Sequence, residues 1–421
     1  MHRADSLSLS RSAAIQSHSF ALVMSLLRRA ASAVTQTAPR GLQSGAAAAV
    51  SCTRITAAQT QARQSFAAPA FSSSRSTRAP TAAATAAASA PSASSSPSSS
   101  LSKFTSIPVI DLSGTFGTGP EVAARRAAVA KLIDQAAREV GFFTIVGHGL
   151  DERMVSDVWK ITQSYFDLPV EAKNKILMDK DYPYGYSGFG GESLAKGYGE
   201  AGRPDPKECF AIGPYNPKAG MTAVRWPSEP KEFERLWLQY YQSMEGLAGH
   251  LLSLFAQALD LPQDWFAAKI DRHRSALRAL NYPKLDKALA AGEVRAGAHT
   301  DYGSLTILLQ DSTGGLQVRN RAKQWVDATP RANSFVINLG DLMARWTNDR
   351  WVSTLHRVVQ PPQAAKLPPA RRQSMAFFHN VNHDQIIECI PTCASPSNPP
   401  KYEPIAAWDL LMQKHLSATT Y

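Results

Sequence analysis

Two residue pairs and one isolated histidine carry the chemistry legible in this sequence. His299 and Asp301 stand two apart in Arg295-Ala-Gly-Ala-His-Thr-Asp-Tyr-Gly-Ser-Leu-Thr-Ile-Leu-Leu-Gln310, a polar tip that runs into an apolar β-pattern. Side chains at i and i+2 of an extended strand share one face, so an imidazole and a carboxylate point the same way. A third ligand from elsewhere in the chain would complete a two-histidine, one-carboxylate facial triad. That donor set leaves open positions for non-haem Fe(II) oxygen chemistry. Taken alone, His-x-Asp also describes an ordinary polar turn.

The candidate third ligand is His356, inside the apolar run Ser353-Thr-Leu-His-Arg-Val-Val359. A lone histidine there also reads as a hydrogen-bonded core residue. Sixteen residues on, Arg372-Gln-Ser374-Met-Ala-Phe-Phe378 places Arg372, Ser374, Ala376 and Phe378 on one strand face. A guanidinium turned into a barrel is costly unless it meets an anion. With a hydroxyl two residues away, it makes a good fork for a carboxylate. The competing reading of Arg372 is an edge-strand residue in solvent or in a structural salt bridge.

These residues need strands to hold them, and the second half of the chain supplies a suitable pattern. Short β-runs are expected at Leu277–Tyr282, His299–Gln310, Leu316–Arg319, Trp325–Asp327, Ser334–Leu339, Trp351–Val359 and Arg372–Phe378. Asp311-Ser-Thr-Gly-Gly315 reads as a hairpin turn between two of them. Many short strands with turn signals between them suggest a sandwich or jelly roll. A helix is expected to close the chain at Ile405–Leu416.

The front of the body alternates instead. Ile107–Leu112 and Phe142–Val146 read as strands, and helices are expected at Pro120–Val140, Asp151–Tyr165, Leu168–Leu177 and Lys231–Leu259. The Gly-, Pro- and Tyr-rich region 181–222 reads as loop, with extended structure resuming at Asp205–Phe210. The loop Tyr184–Phe189 is expected to roof the pocket, and Phe210 is a candidate wall. His148, in a glycine-flanked turn, reads as structural.

Charge divides the chain sharply. Residues 1–103 hold nine arginines and one lysine against the single acid Asp5, a net +9, which leaves only +2 of the total +11 for residues 104–421. The basic balance therefore belongs to the tail, which argues against a nucleic-acid-binding surface on the folded body. Residues 1–103, rich in Ser, Ala and Arg, are expected to be disordered. Their composition is that of an organellar transit peptide, mitochondrial in preference to plastid or cytoplasmic, with an amphipathic helix from Met24 to Val34. No run reaches the roughly 18 apolar residues of a membrane span. Cys52, Cys209, Cys389 and Cys393 lack the spacing of a structural zinc site and are expected to be reduced thiols.

The order His-x-Asp, then a His 55 residues after the Asp, then Arg-x-Ser is highly specific. With it go Ile107-Pro-Val-Ile-Asp111, Gly141-Phe-Phe-Thr-Ile-Val-Gly-His-Gly149, Phe166-Asp-Leu-Pro169, Lys207-Glu208, Asn281-Tyr-Pro283, Gly315-Leu-Gln-Val318 and Asn338-Leu-Gly-Asp341. Over residues 105–415 the chain resembles the isopenicillin N synthase-like branch of the Fe(II)/2-oxoglutarate-dependent dioxygenases. The resemblance implies a mainly β fold with flanking helices. A double-stranded β-helix (jelly roll) core with a C-terminal helix at 266–421 would follow an α/β region at 104–265. It implies that His299, Asp301 and His356 hold Fe(II), that Arg372, Ser374 and Tyr282 bind the distal carboxylate of 2-oxoglutarate, and that Phe378 borders the substrate. The implied reaction uses O2 and oxidises, most often hydroxylates, a small organic substrate with release of succinate and CO2. Ascorbate is the expected reductant, and a monomer is expected. One departure is a long gap between His356 and Arg372, with Pro-Pro steps at 361–362 and 368–369. Two rivals keep the scaffold: an oxidase whose Arg-x-Ser grips a different carboxylate, and a non-catalytic binding protein.

Overall fold

The computed structural model describes residues 104–179, 183–190, 205–217, 220–221, 223–286, 293–360 and 370–418. The expected tail and its Met24–Val34 helix, and the 361–369 part of the Pro-Pro loop, lie outside the described residues.

The body opens with β1 (Val109–Asp111) and α1 (Pro120–Glu139), which carries the proline in its first turn and buries Val129, Ile133 and Ala136. Beyond the helix, Gly141 adopts a φ of 72°, and a Cβ there would lie 2.3 Å from the Val352 carbonyl. Glycine allows both the backbone angle and the close approach. The consequence reaches the site. Val352 N–H donates to Ala137 O at 3.0 Å and Thr354 Oγ1 to Val140 O at 2.7 Å, which pins the segment leading to His356.

Next come β2 (Phe142–Val146), α2 (Glu152–Phe166), α3 (Val170–Lys173), β3 (Gly185–Ser187), β4 (Glu208–Ile212) and α4 (Phe233–Ala258). Asp151 caps α2 by accepting from Arg153 N–H. The long α4 buries an apolar stripe through Leu236, Tyr240, Met244, Leu247 and Leu251, as its 3.6-residue spacing requires. The back half holds α5 (Ala267–Ile270), β5 (Ala276–Tyr282), β6 (Ala296–His299), β7 (Leu305–Gln310), β8 (Leu316–Arg319), β9 (Trp325–Asp327), β10 (Phe335–Leu339) and α6 (Asp341–Trp346). It closes with β11 (His356–Val358), β12 (Arg372–His379), β13 (Ile386–Ile387), β14 (Ile405–Ala406) and α7 (Ala407–Ala418).

Among the described residues, eight strands form one sheet in the order β1-β2-β10-β7-β12-β5-β4-β3, and four form a second, β6-β11-β8-β9. The sheets face each other as a jelly roll. Phe142, Tyr282 and Val336 from the large sheet pack with Ala296, Leu316, Val318 and Val358 from the small one. A larger core lies on the other face of the large sheet, where Phe143, Leu277, Ile307, Met375 and Phe377 meet the buried faces of α1, α2 and α4. Alternation along each strand feeds the two cores separately. The front of the chain contributes β1 to β4 to the same large sheet.

Several expectations are corrected. His299–Gln310 is not one strand: β6 and β7 lie in different sheets, with residues 300–304 turning between them. Asp311–Gly315 is not a hairpin turn either, because β7 and β8 also belong to different sheets. Within the supposed roof Tyr184–Phe189, residues Gly185–Ser187 form a buried strand at the end of the large sheet. Ile405 and Ala406 pair with β13 before the closing helix begins. Phe210 is not a pocket wall. Its register partner is Ala279, which faces the helices, and its ring packs on Tyr165, Phe233 and Trp237 at centroid distances of 5.2, 5.2 and 4.8 Å. An apolar strand residue can serve either face, and only the register decides which. Phe210→Ala should therefore cost about 3–5 kcal/mol of stability. Its urea midpoint should fall while Fe(II) affinity, measured on the folded variant, stays at the wild-type value.

Candidate active site

His299 ends β6 and His356 begins β11, and the antiparallel register sets the two directly opposite. Their ring centroids lie 4.3 Å apart. Asp301 sits in the turn after β6, so its direction comes from side-chain bonds and not from strand alternation. Its Oδ2 accepts from Thr306 Oγ1 at 2.6 Å and from Asn338 Nδ2 at 2.7 Å. Its Oδ1 lies 3.9 Å from His299 Nε2 and 3.7 Å from His356 Nε2. One ligand atom from each of the three residues falls within 4.8 Å of the others, the one such group found among the described residues.

The proton positions suit a metal. His299 Nδ1 lies 2.8 Å from the Gly297 carbonyl and His356 Nδ1 lies 3.1 Å from the Thr354 carbonyl. A carbonyl only accepts, so each Nδ1 carries a hydrogen, and each Nε2 is the atom turned toward Asp301. Burial, helped by neighbouring His356, pushes the His299 imidazolium down to about 3, so the ring is neutral at physiological pH. Burial works to raise Asp301. The two imidazoles and the bonds from Asn338 and Thr306 outweigh it and hold the carboxyl below its ordinary range. Two imidazoles and one ionised carboxylate converging on one point are a donor set that fits a divalent iron.

The turn is braced from behind. Asp341 N–H donates to Asp301 O at 2.8 Å, and Thr300 Oγ1 donates to Asp341 Oδ2 at 3.1 Å. A Cβ on Gly340 would lie 2.2 Å from the Gly303 carbonyl, so the start of α6 reaches the turn only because residue 340 lacks a side chain.

The second candidate group lies on the inward face of β12. Arg372 is 1% exposed and pairs in register with Tyr282, and Ser374 pairs with Leu280. The guanidinium donates through Nε to Gly314 O at 2.9 Å, through Nη1 to Ser374 Oγ at 3.2 Å and through Nη2 to Gln310 Oε1 at 3.3 Å. Its Cζ lies 5.2 Å from the Tyr282 ring centroid. Among the described residues it meets no carboxylate, which sets aside the structural salt bridge. Phe378 lies on the same face, opposite Thr306, the residue that bonds Asp301.

The structure thus brings His299, Asp301 and His356 together, groups Arg372 with Ser374 and Tyr282, and removes Phe210. Sequence reasoning gave no role to Thr306, Asn338, Gln310 and Gly314. Asn338 had a signal, since Asn338-Leu-Gly-Asp341 stood out as a motif, but its partner lies 37 residues away in sequence. Asn338→Leu should weaken metal affinity about 10–100-fold, the usual cost of losing a partner that orients a metal ligand. Calorimetric titration with Fe(II) under argon checks this, and His299→Ala should lose binding altogether.

The profile described as non-haem dioxygenase in morphine synthesis N-terminal matches residues 107–233, and that of the 2OG-Fe(II) oxygenase superfamily matches residues 274–381. The chain is 32% identical over 330 residues to the 2-oxoglutarate-Fe(II) type oxidoreductase hxnY of Emericella nidulans, covering 73% of this chain and 88% of that one. It is 33% identical over 337 residues to homoarginine-6-hydroxylase 2-ODD-233 of Oryza sativa, with 75% and 98% covered. Among solved structures, a full-length Neurospora crassa protein in complex with alpha-KG (2-oxoglutarate) and thymine superposes with a TM-score of 0.66 at 34% identity, with 75% of this chain and 97% of that one covered. With this fold and these matches, the chain belongs to the 2-oxoglutarate–Fe(II) oxygenase superfamily and is an oxidoreductase that uses Fe(II), 2-oxoglutarate and O2.

Proposed function

We propose that this chain hydroxylates a C–H bond of a small, polar, nitrogen-containing molecule, as a member of the isopenicillin N synthase-like branch. In this reading His299, Asp301 and His356 hold the iron. Arg372, Ser374 and Tyr282 hold the C5 carboxylate of 2-oxoglutarate, and Phe378 forms part of the substrate wall. The observation that carries the reading is the buried Arg372 guanidinium. It meets only neutral acceptors among the described residues, and it lies on the same face of β12 as Phe378, which stands opposite Thr306, the residue that bonds Asp301. The substrate class is supported by relatives named for homoarginine and by the thymine bound to the Neurospora crassa protein.

When bound, iron and 2-oxoglutarate supply the oxidising power, with succinate and CO2 as products. The chain's own residues set the geometry. The Nδ1–H bonds to Gly297 and Thr354 fix both imidazole rings. Thr306 and Asn338 hold Asp301 so that one carboxylate oxygen faces the histidines. The apolar cluster of Phe142, Leu316, Val318 and Val336 keeps water from the space between the sheets.

Arg372→Met tests the reading. Removing one partner of a buried charge pair costs about 3–5 kcal/mol, so half-maximal succinate release should need several hundredfold more 2-oxoglutarate. Iron affinity should hardly change. Identical succinate curves for wild type and variant would sink the assignment, and wild-type turnover without succinate would favour the oxidase. A panel of amino acids, pyrimidines and purines in the same assay, with ascorbate, identifies the substrate.

Residues 1–103 are proposed to be a mitochondrial transit peptide, on their net charge of +9 and single acid. A reporter fused to residues 1–103 should colocalise with mitochondria, and diffuse cytosolic fluorescence would exclude this role.

A further inference from the structure

Arg295 lies four residues before His299, on the segment that enters β6, and the mechanism above gives it no part. It is 2% exposed. Its backbone N–H donates to Val358 O at 2.8 Å, which ties it to the strand of the second histidine. Its side chain crosses to the other sheet. Nη2 donates to Pro283 O at 2.6 Å, one residue beyond Tyr282, and Nη1 donates to Ala370 O at 2.7 Å, two residues before Arg372. The buried Nε finds no acceptor among the described residues. The Arg295 Cζ lies 5.3 Å from the Tyr282 ring centroid, against 5.2 Å for Arg372. Two guanidiniums therefore share one buried tyrosine ring, and neither has a carboxylate within ion-pair distance among the described residues. Asp311, held by the backbone N–H groups of Thr313 and Gln373, acts on Arg295 only at longer range.

Two like charges so placed repel, and the distant Asp311 offsets only part of that cost. Burial, together with Arg372, lowers Arg295 to about 10, and it still carries its proton at neutral pH. The arrangement makes physical sense if an anion is the intended third member. It also addresses a geometric need. In the proposed reading the metal end of 2-oxoglutarate would be held from the small sheet, at His299 and His356, and its carboxylate end from β12 of the large sheet. Arg295 is rooted beside His299 and clamps the backbone on either side of the Tyr282–Arg372 pair, so one side chain spans the two anchors.

Resting on the reading that Arg372 grips the C5 carboxylate, we propose that Arg295 is a positioning residue for 2-oxoglutarate. It fixes the carboxylate fork relative to the metal strand and adds a second positive charge to the carboxylate pocket. The neutral carbonyl acceptors of Pro283 and Ala370 leave that charge available to the ligand.

The test is calorimetric binding to the full-length chain loaded with Mn(II) under argon. The probes are 2-oxoglutarate and 2-oxopentanoate, which keeps the chelating end and lacks the C5 carboxylate. Wild type should bind 2-oxoglutarate far more tightly. Arg295→Gln should weaken 2-oxoglutarate about tenfold, flatten its dependence on ionic strength, and leave 2-oxopentanoate unchanged. Arg295→Lys, which keeps the charge but not the grip on both carbonyls, should lose clearly less 2-oxoglutarate affinity than Arg295→Gln. A merely structural arginine would move both ligands together and gain nothing from lysine. Unchanged 2-oxoglutarate binding in Arg295→Gln, or equal losses for both ligands, overturns the proposal. If the glutamine variant does not fold, the lysine variant decides alone, and a tenfold loss there overturns the role of the charge. A wild type that binds the two ligands equally would show instead that the C5-carboxylate pocket is wrongly placed, and the underlying reading would fall with it.

Discussion

The direct pairing of His299 with His356 across β6 and β11 is the contact on which the site depends. An antiparallel register places two imidazoles from residues 57 apart at one spot without help from any loop. A one-residue slip would turn one ring out of the cavity. The register is held from outside by the glycine approach at Gly141 and by the bonds of Val352 and Thr354 to the end of α1. The helical half of the molecule is thus joined mechanically to the second histidine. The carboxylate ligand is positioned differently, by two polar side chains from β7 and β10 of the other sheet. The triad is a joint between sheets, and a motif on one strand is only part of it.

The same division governs the co-substrate. In the proposed reading, the iron end rests mainly on His299 and His356 of the small sheet, and the carboxylate end on Arg372 of the large one. Such a site is accurate only if the sheets are fixed relative to each other. The apolar inter-sheet core does part of this through non-directional packing. Directional bonds do the rest: Asn338 to Asp301, Asp341 to the turn, and Arg295 to Pro283 and Ala370. Polar groups withdrawn from water in this way are a liability if left unpaired, and that cost is what makes the arrangement specific.

Much of this was legible in the sequence. The helices at 120–139, 152–166 and 233–258 follow from apolar periodicity and capping residues, which are local properties. The triad and the Arg-x-Ser pair were visible because their residue types are expensive in an apolar strand, so their presence there calls for a purpose. That Arg372, Ser374, Ala376 and Phe378 share one face of β12 followed from alternation; that this face turns inward is shown by the register.

What the sequence could not say concerns the relation between elements distant along the chain. Phe210 is an apolar residue on a fully buried strand, and only its pairing with Ala279 shows which of two cores it enters. His299–Gln310 reads as one strand because hydropathy does not register a chain that leaves one sheet for another at residues 300–304. Arg295 looks like one more basic residue, since its acceptors are backbone carbonyls that carry no residue identity. Residue types and local spacing determined the chemistry on offer. The tertiary structure decided which groups meet, because register and sheet packing are sums over contacts that no short stretch of sequence contains.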